Sequence, residues 1–255
     1  MPLDPHAIRR QFHFFRTHGD AVYLDSASTT QKPDCTLHAM AGCWSCAANV
    51  GRGSHALAAA ATRQVADVRR RAAAFLGAAS PEDVVFTSGA THGLNLVALA
   101  WGAANLRDGD EVLYCPHDHK AAVLPWELLR ETLARGGTRI HLVPFRLGLG
   151  GEGDVNDLAS KVTDRTRVVC LTHVHNVYGA RTTVERVRDV VGPSAVITLD
   201  AAQSVGHLPV DVKTLGTDFL SCSGHKMFAA TGSGMLWVHP RRHAELRAPI
   251  VGGTQ

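Results

Sequence analysis

Several things are missing from this 255-residue sequence, and each absence narrows the field of functions. No apolar run is long enough to cross a bilayer. The opening stretch, MPLDPHAIRRQFHFF, lacks the h-region of a secretory signal, so a cytoplasmic location without membrane contact is expected. There is no internal repeat and no low-complexity linker. Charge of either sign is not in excess: 26 Lys and Arg face 23 Asp and Glu, for a net charge of +3. The longest basic run is Arg69, Arg70 and Arg71, which leaves no electrostatic footprint for nucleic acid. Six cysteines without secretory marks are expected as reduced thiols rather than a disulfide framework. Cys43-Trp44-Ser45-Cys46 is a lone CxxC with no second pair at zinc spacing. No metal site is therefore expected there, and buried free thiols are.

What is present supports a packed core, since 45% of the residues are hydrophobic. Short β-rich runs fall at 84–86, 111–115, 139–145, 168–173, 196–200, 218–222 and 234–238. Amphipathic helical patterns fall at 62–76, 91–101, 121–134 and 183–191. VVCLTH and VITLD are apolar on both faces, as parallel strands covered by helices must be. The alternation predicts a three-layer α/β/α sandwich with a mostly parallel sheet and a site at the carboxyl ends of its strands. After residue 218 the helical spacing vanishes. The link to GSGMLWV is too short for a crossover helix, which predicts an antiparallel hairpin.

Chemistry-bearing residues sit where those strands end. Lys226, in SGHKMF, follows a β-run among small residues; desolvation there makes a lysine a nucleophilic amine. The plainer alternative is a surface lysine in a turn. Asp200 closes VITLD, and a buried carboxylate calls for a cationic partner such as a protonated pyridinium. Its alternative is a cap on the next turn. Gln203 is in reach of the phenolic oxygen of such a ring. Ser88-Gly89-Ala90-Thr91 joins a strand to an apolar helix, which suits either a phosphate cradle or an ordinary N-cap. His119 lies just past a strand, placed to stack on a ring and move a proton; lone histidines are more often structural. Asn176 follows another buried strand, facing ligand oxygens or forming a turn ahead of Gly179. Gly148, Gly150 and Gly153 form a GxGxxG string. Asp154 and Asn156 mark it as a polar loop, late in the α/β order, rather than a nucleotide fingerprint.

Taken together these stretches resemble the class V aminotransferases of pyridoxal-phosphate (PLP) fold type I. The similarity is greatest to group II cysteine desulfurases and selenocysteine lyases. YLDSASTTQKP (23–33), NVGRGSHALAAAAT (49–62), VVFTSGATHGLNLVA (84–98), GDEVLYCPHDHKAAVLPW (109–126), HVHNVYG (173–179), LDAAQSVGHLPVDVKTLGTDF (199–219) and SGHKMFAATGSGMLWV (223–238) carry the resemblance in family order. It implies a PLP-binding large domain over 23–255, behind an N-terminal segment 1–22. It implies Lys226 as the aldimine and proton-transfer lysine, Asp200 on the pyridine nitrogen and His119 stacked on the ring. Asn176 and Gln203 fall on the ring-oxygen side. Thr91, Ser223, His225 and the Ala90 backbone hold phosphate, while Ala27 and Asn176 border an L-cysteine-like substrate.

The family carries a smaller C-terminal domain with a substrate-binding arginine and, in desulfurases, a sulfur-accepting cysteine. No counterpart of either is found here, so a homodimer or a complex with a chain supplying that domain is expected. Ala90 stands where the family often has threonine, and Gly51 where it commonly has histidine. Other class V outcomes (β-elimination, epimerisation, transamination) or a non-catalytic PLP-binding scaffold share the same core residues.

Overall fold

Consecutive residues of the central strands are buried on opposite sides of one sheet, and that double burial organises the molecule. The computed structural model describes residues 3–252. The strands are β1 (Val84–Thr87), β2 (Glu111–Tyr114), β3 (His141–Pro144), β4 (Thr166–Thr172), β5 (Val196–Asp200), β6 (Phe219–Ser223) and β7 (Gly234–Val238). In β4, Val169 and Leu171 join one core with Ile197 and Leu199. Val168 and Cys170 join the other with Val112 and Val196. Side chains alternate across a strand, so a run apolar at every position needs cover on both faces.

The sheet order is β1-β7-β6-β5-β4-β2-β3. The pairs β3/β2, β2/β4, β4/β5 and β5/β6 are parallel; β7 runs antiparallel to both β6 and β1. The expected closing hairpin is thus β6–β7, with Phe219 opposite Val238 and Ser223 opposite Gly234. Because β7 alone is reversed, the carboxyl ends of β1, β6, β5, β4 and β2 share one edge of the sheet.

One face is covered by the helices Ala56–Leu76 and Val184–Val191, through Leu76, Val184 and Val187. The other is covered by Ala90–Leu96 and its continuation, and by Lys120–Arg135, through Val97, Trp101, Trp126 and Leu129. The expected helix at 62–76 begins earlier, at Ala56, where the His55 ring caps the Ala58 amide. Its first turns are alanine-rich and offer no apolar contrast to read. The expected helix at 91–101 is α-helical only to Leu96 and then widens to a π-turn over Val97–Gly102.

The segment before the first strand is tied to the body of the protein. Phe12 is buried with its ring edge-on to Phe228, and the Asp34 amide donates to the Gln11 carbonyl. The helix Asp34–Ser45 buries none of its residues. This corrects the expectation for the CxxC thiols: Cys43 within the helix and Cys46 just past its end are exposed, as is Cys35, while Cys115, Cys170 and Cys222 are buried. A helix lying on the surface exposes its cysteines however apolar their neighbours in sequence. The 148–153 glycine string is a tight loop closed by a hydrogen bond from the Gly148 amide to the Glu152 carbonyl and a Leu147–Gly153 bridge. Among the described residues, no helix is long and apolar enough to cross a membrane.

Candidate active site

Strand β5 ends on Asp200, 5% exposed, whose Oδ1 accepts the Ala202 amide at 2.9 Å. The local turn-capping role is therefore real, but it uses one oxygen only. Burial raises the pKa of this carboxyl, opposed by the Ala202 hydrogen bond and by the charges of His119 and Lys226. Neighbouring β6 ends on Ser223 and runs straight into a 3-10 turn, Gly224–Lys226. Lys226 is half-buried, and desolvation lowers the pKa of its amine while Asp200 pulls the other way. The two groups feel each other's charge across the mouth of the sheet.

Strand β1 passes through Gly89, at φ 152°, into the helix Ala90–Leu96. The buried Ala90 amide donates to Ser223 Oγ at 2.8 Å, tying this turn to the end of β6. Such contact needs glycine opposite. A Cβ on Gly234, the first residue of β7, would come within 2.5 Å of the Gly89 Cα. Thr91 follows in the first turn of the helix.

His119 is the N-cap of Lys120–Arg135, its Nδ1 accepting the Ala121 amide at 3.2 Å. This hydrogen bond fixes the plane of a ring that borders the cavity. Asn176 sits in a turn closed by the Gly179 amide on the His175 carbonyl, with Gly179 at φ 68°. Gln203 donates from Nε2 to the Ala27 carbonyl at 2.7 Å, a link between segments that the sequence did not announce. Burial lowers the pKa of His225, helped by Lys226 and Lys32.

All ten residues singled out from the sequence, Ala27, Ala90, Thr91, His119, Asn176, Asp200, Gln203, Ser223, His225 and Lys226, line one cavity of about 320 Å³. That volume lies in the range of small-molecule sites. Ser28, Thr172 and Ala202 border it as well and were not foreseen. Nor was Asp118, a 7% exposed carboxyl beside His119 in sequence. Nothing local marks Asp118, because its character comes from burial. The arrangement puts an activated amine, a buried carboxylate, an imidazole and a hydroxyl-and-amide cluster around one space.

Known proteins share this architecture. A cysteine desulfurase from Thermococcus onnurineus NA1, in its apo form, superposes with a TM-score of 0.89 at 30% identity, covering 99% of this chain and 61% of that one. The Escherichia coli cysteine desulfurase CsdA superposes with a TM-score of 0.86 at 29% identity, covering all of this chain and 62% of its own. In sequence, a probable cysteine desulfurase of Vibrio cholerae serotype O1 is 38% identical over 242 residues, 93% of this chain and 59% of that protein. A cysteine desulfurase of Escherichia fergusonii is 39% identical over 219 residues, 85% of this chain and 53% of its own. The chain thus spans between 53% and 62% of the length of these relatives. The family model for class-V aminotransferases matches residues 22–255, and the chain belongs to that family.

Proposed function

We propose that this chain is the cofactor-holding part of a PLP-dependent enzyme of the cysteine desulfurase type, acting on the C–S bond of an L-cysteine-like amino acid. The observation that carries the reading is that Lys226 and Asp200 line the same small-molecule cavity. The fit to PLP rests on Asp200. This carboxylate is buried and takes the Ala202 amide; no salt bridge to it is found among the described residues, and a cationic ring would complete it. When bound, PLP supplies an electron sink for cleavage at the substrate's carbons.

The chain's own groups have distinct tasks in this reading. Lys226 supplies the amine for the cofactor aldehyde and moves protons at the substrate, its lowered pKa keeping a larger neutral fraction. Asp200 keeps the ring nitrogen protonated. His119 covers the ring, its tautomer set by the Ala121 amide on Nδ1. Ala90, Thr91, Ser223 and His225 hold the phosphate, while Asn176 and Gln203 face the ring-oxygen side. Ala27 and Asn176 border the substrate.

The cavity lining contains no arginine and no cysteine among the described residues. The carboxylate clamp and the sulfur-accepting thiol are therefore proposed to lie outside this stretch of sequence, on a partner chain or a further domain. Six unpaired cysteines suit a reducing compartment, in keeping with a cytoplasmic enzyme.

The test is PLP titration followed by visible absorbance. The lysine-bound band is expected in wild type and absent from Lys226→Ala; a band unchanged in that variant overturns the assignment. Sulfide release from L-cysteine in the presence of a dithiol, which reduces the transferred sulfur to sulfide, assayed with and without co-expressed genomic neighbours, then tests the reaction class. Intact PLP binding with no sulfide under either condition would remove desulfuration.

A further inference from the structure

Four donors converge on one backbone oxygen next to Lys226. The His225 carbonyl accepts the Thr30 amide at 2.9 Å, Thr30 Oγ1 at 3.0 Å, Thr29 Oγ1 at 3.1 Å and Lys32 Nζ at 3.0 Å. The same Thr30 hydroxyl accepts the Phe228 amide at 2.9 Å. A single side chain nearly two hundred positions away thus bonds the backbone on both sides of the lysine. Thr30 is 3% exposed, so water does not compete for these bonds.

What the bracket restrains is also visible. Phe228, at φ 68°, is the only non-glycine residue with positive φ among the described residues. For a bulky side chain that region is sparsely populated and persists only where surroundings over-determine it. The contacts on Phe228 itself come from the first 36 residues: Thr30 on its amide, Thr36 Oγ1 on its carbonyl at 3.0 Å, and the Phe12 ring against its ring. The turn around it is closed by the Met227 and Ala229 amides on the Gly224 carbonyl, and His207 Nε2 meets the Lys226 carbonyl at 2.9 Å. Relaxation of Phe228 to negative φ would turn the 225–228 backbone and with it the direction of Lys226.

We infer that Thr30 is a positioning residue for the Lys226 amine, its hydroxyl holding the 225–228 turn in the form that aims the lysine into the cavity. The inference rests on the reading of Lys226 as the cofactor's lysine. It adds that the N-terminal segment, through Thr30 and with help from Lys32, sets how well that lysine is presented. A valine at position 30 keeps the volume and loses both hydroxyl bonds; a serine keeps them.

The experiment titrates PLP into wild type, Thr30→Val, Thr30→Ser and Lys226→Ala. Visible absorbance and its pH midpoint are followed, and unfolding of each cofactor-free protein is measured alongside. Thr30→Val is expected to bind PLP at least about fivefold more weakly, the equivalent of one ordinary hydrogen bond. Its pH midpoint should move up as the amine returns toward water. Thr30→Ser should restore both. A Lys226-dependent band whose affinity and midpoint are the same in Thr30→Val overturns the positioning role alone. No band in wild type, or one that survives Lys226→Ala, overturns the reading of the site and this inference with it. Should Thr30→Val not fold, Lys32→Met removes a donor from the same carbonyl and must shift both readouts in the same direction. Wild-type values there overturn the proposal.

Discussion

Asp118 and Asp200 are two buried carboxyls at the same edge of the sheet, and the charge of one reaches the other. Burial raises Asp118 to about 7, and the negative charge of Asp200 adds to the rise. An acid whose pKa rises on folding stabilises the fold only while protonated. Its contribution is complete below the ordinary value of 3.8 and is lost as pH climbs through about 7. Asp118→Asn removes that loss, which is at most about 4 kcal/mol. Chemical denaturation at pH 5 and pH 8 should show wild type losing stability relative to the variant as pH rises; a difference between the two that is the same at both pH values would contradict the assignment.

Asp200→Asn is expected to act in opposite directions with and without cofactor. Burial raises the Asp200 carboxyl, so the empty protein should be more stable at neutral pH once the charge is gone. PLP binding should weaken roughly tenfold to a hundredfold, the scale of one hydrogen bond to a charged group. Thermal unfolding and absorbance titration read the two effects separately. A variant that binds PLP as wild type does would show that Asp200 is only a turn cap.

His173 is 1% exposed and shares its Nδ1 with Ser204 Oγ at 2.9 Å. Burial lowers its pKa to about 4, aided by Arg181. The unfolded chain therefore takes up a proton that the folded one refuses, and stability falls as pH drops from about 6.5 toward 4. Up to about 3 kcal/mol is at stake. His173→Gln should flatten the acid limb of the stability curve, read by denaturation between pH 4 and 7.

Thiol accessibility separates the cysteines into two groups. Cys35, Cys43 and Cys46 are exposed and should react promptly with an aromatic disulfide reagent in the native protein. Cys115 and Cys222, pushed by burial to about 11 and about 12, and the fully buried Cys170 should react only after unfolding. Native and denatured thiol titrations should give three and six equivalents. A native count of six would contradict the packing of β4 and β6.

Gly234→Ala tests the closeness of the phosphate-side turn to the sheet. The added methyl would meet the Gly89 Cα at 2.5 Å and the Cys222 carbonyl at 2.6 Å. Both are backbone, so neither yields by rotating a side chain. A loss of about 1–3 kcal/mol is expected from denaturant unfolding, together with weaker PLP binding as Ala90 is displaced from Ser223.

Much of the site was legible because its residues follow strands. VVCLTH is apolar up to Thr172 and VITLD, apart from the buried Thr198, up to Asp200, so the charged or polar residue that closes each run marks the edge where ligands bind. Asp200 is legible by that logic and Thr91 by its place at a helix start, while the role of Ser223 comes from the family resemblance. The exposed thiols of Cys43 and Cys46 were not legible: nothing in CWSC tells which way a surface helix faces. Asp118 was missed for a similar reason, since its shifted acidity is made by neighbours from other strands.

The seven strands, their alternation with helices and the closing hairpin follow from periodicity, which is local physics that a linear string records. The same string placed an amine and a carboxylate at strand ends. That these ends share one cavity, that Gly89 lies against Gly234, and that Thr30 grips the backbone around Lys226 from 195 positions away were decided only by the folded chain. Such contacts depend on packing between segments, where distance along the sequence carries no information about distance in space.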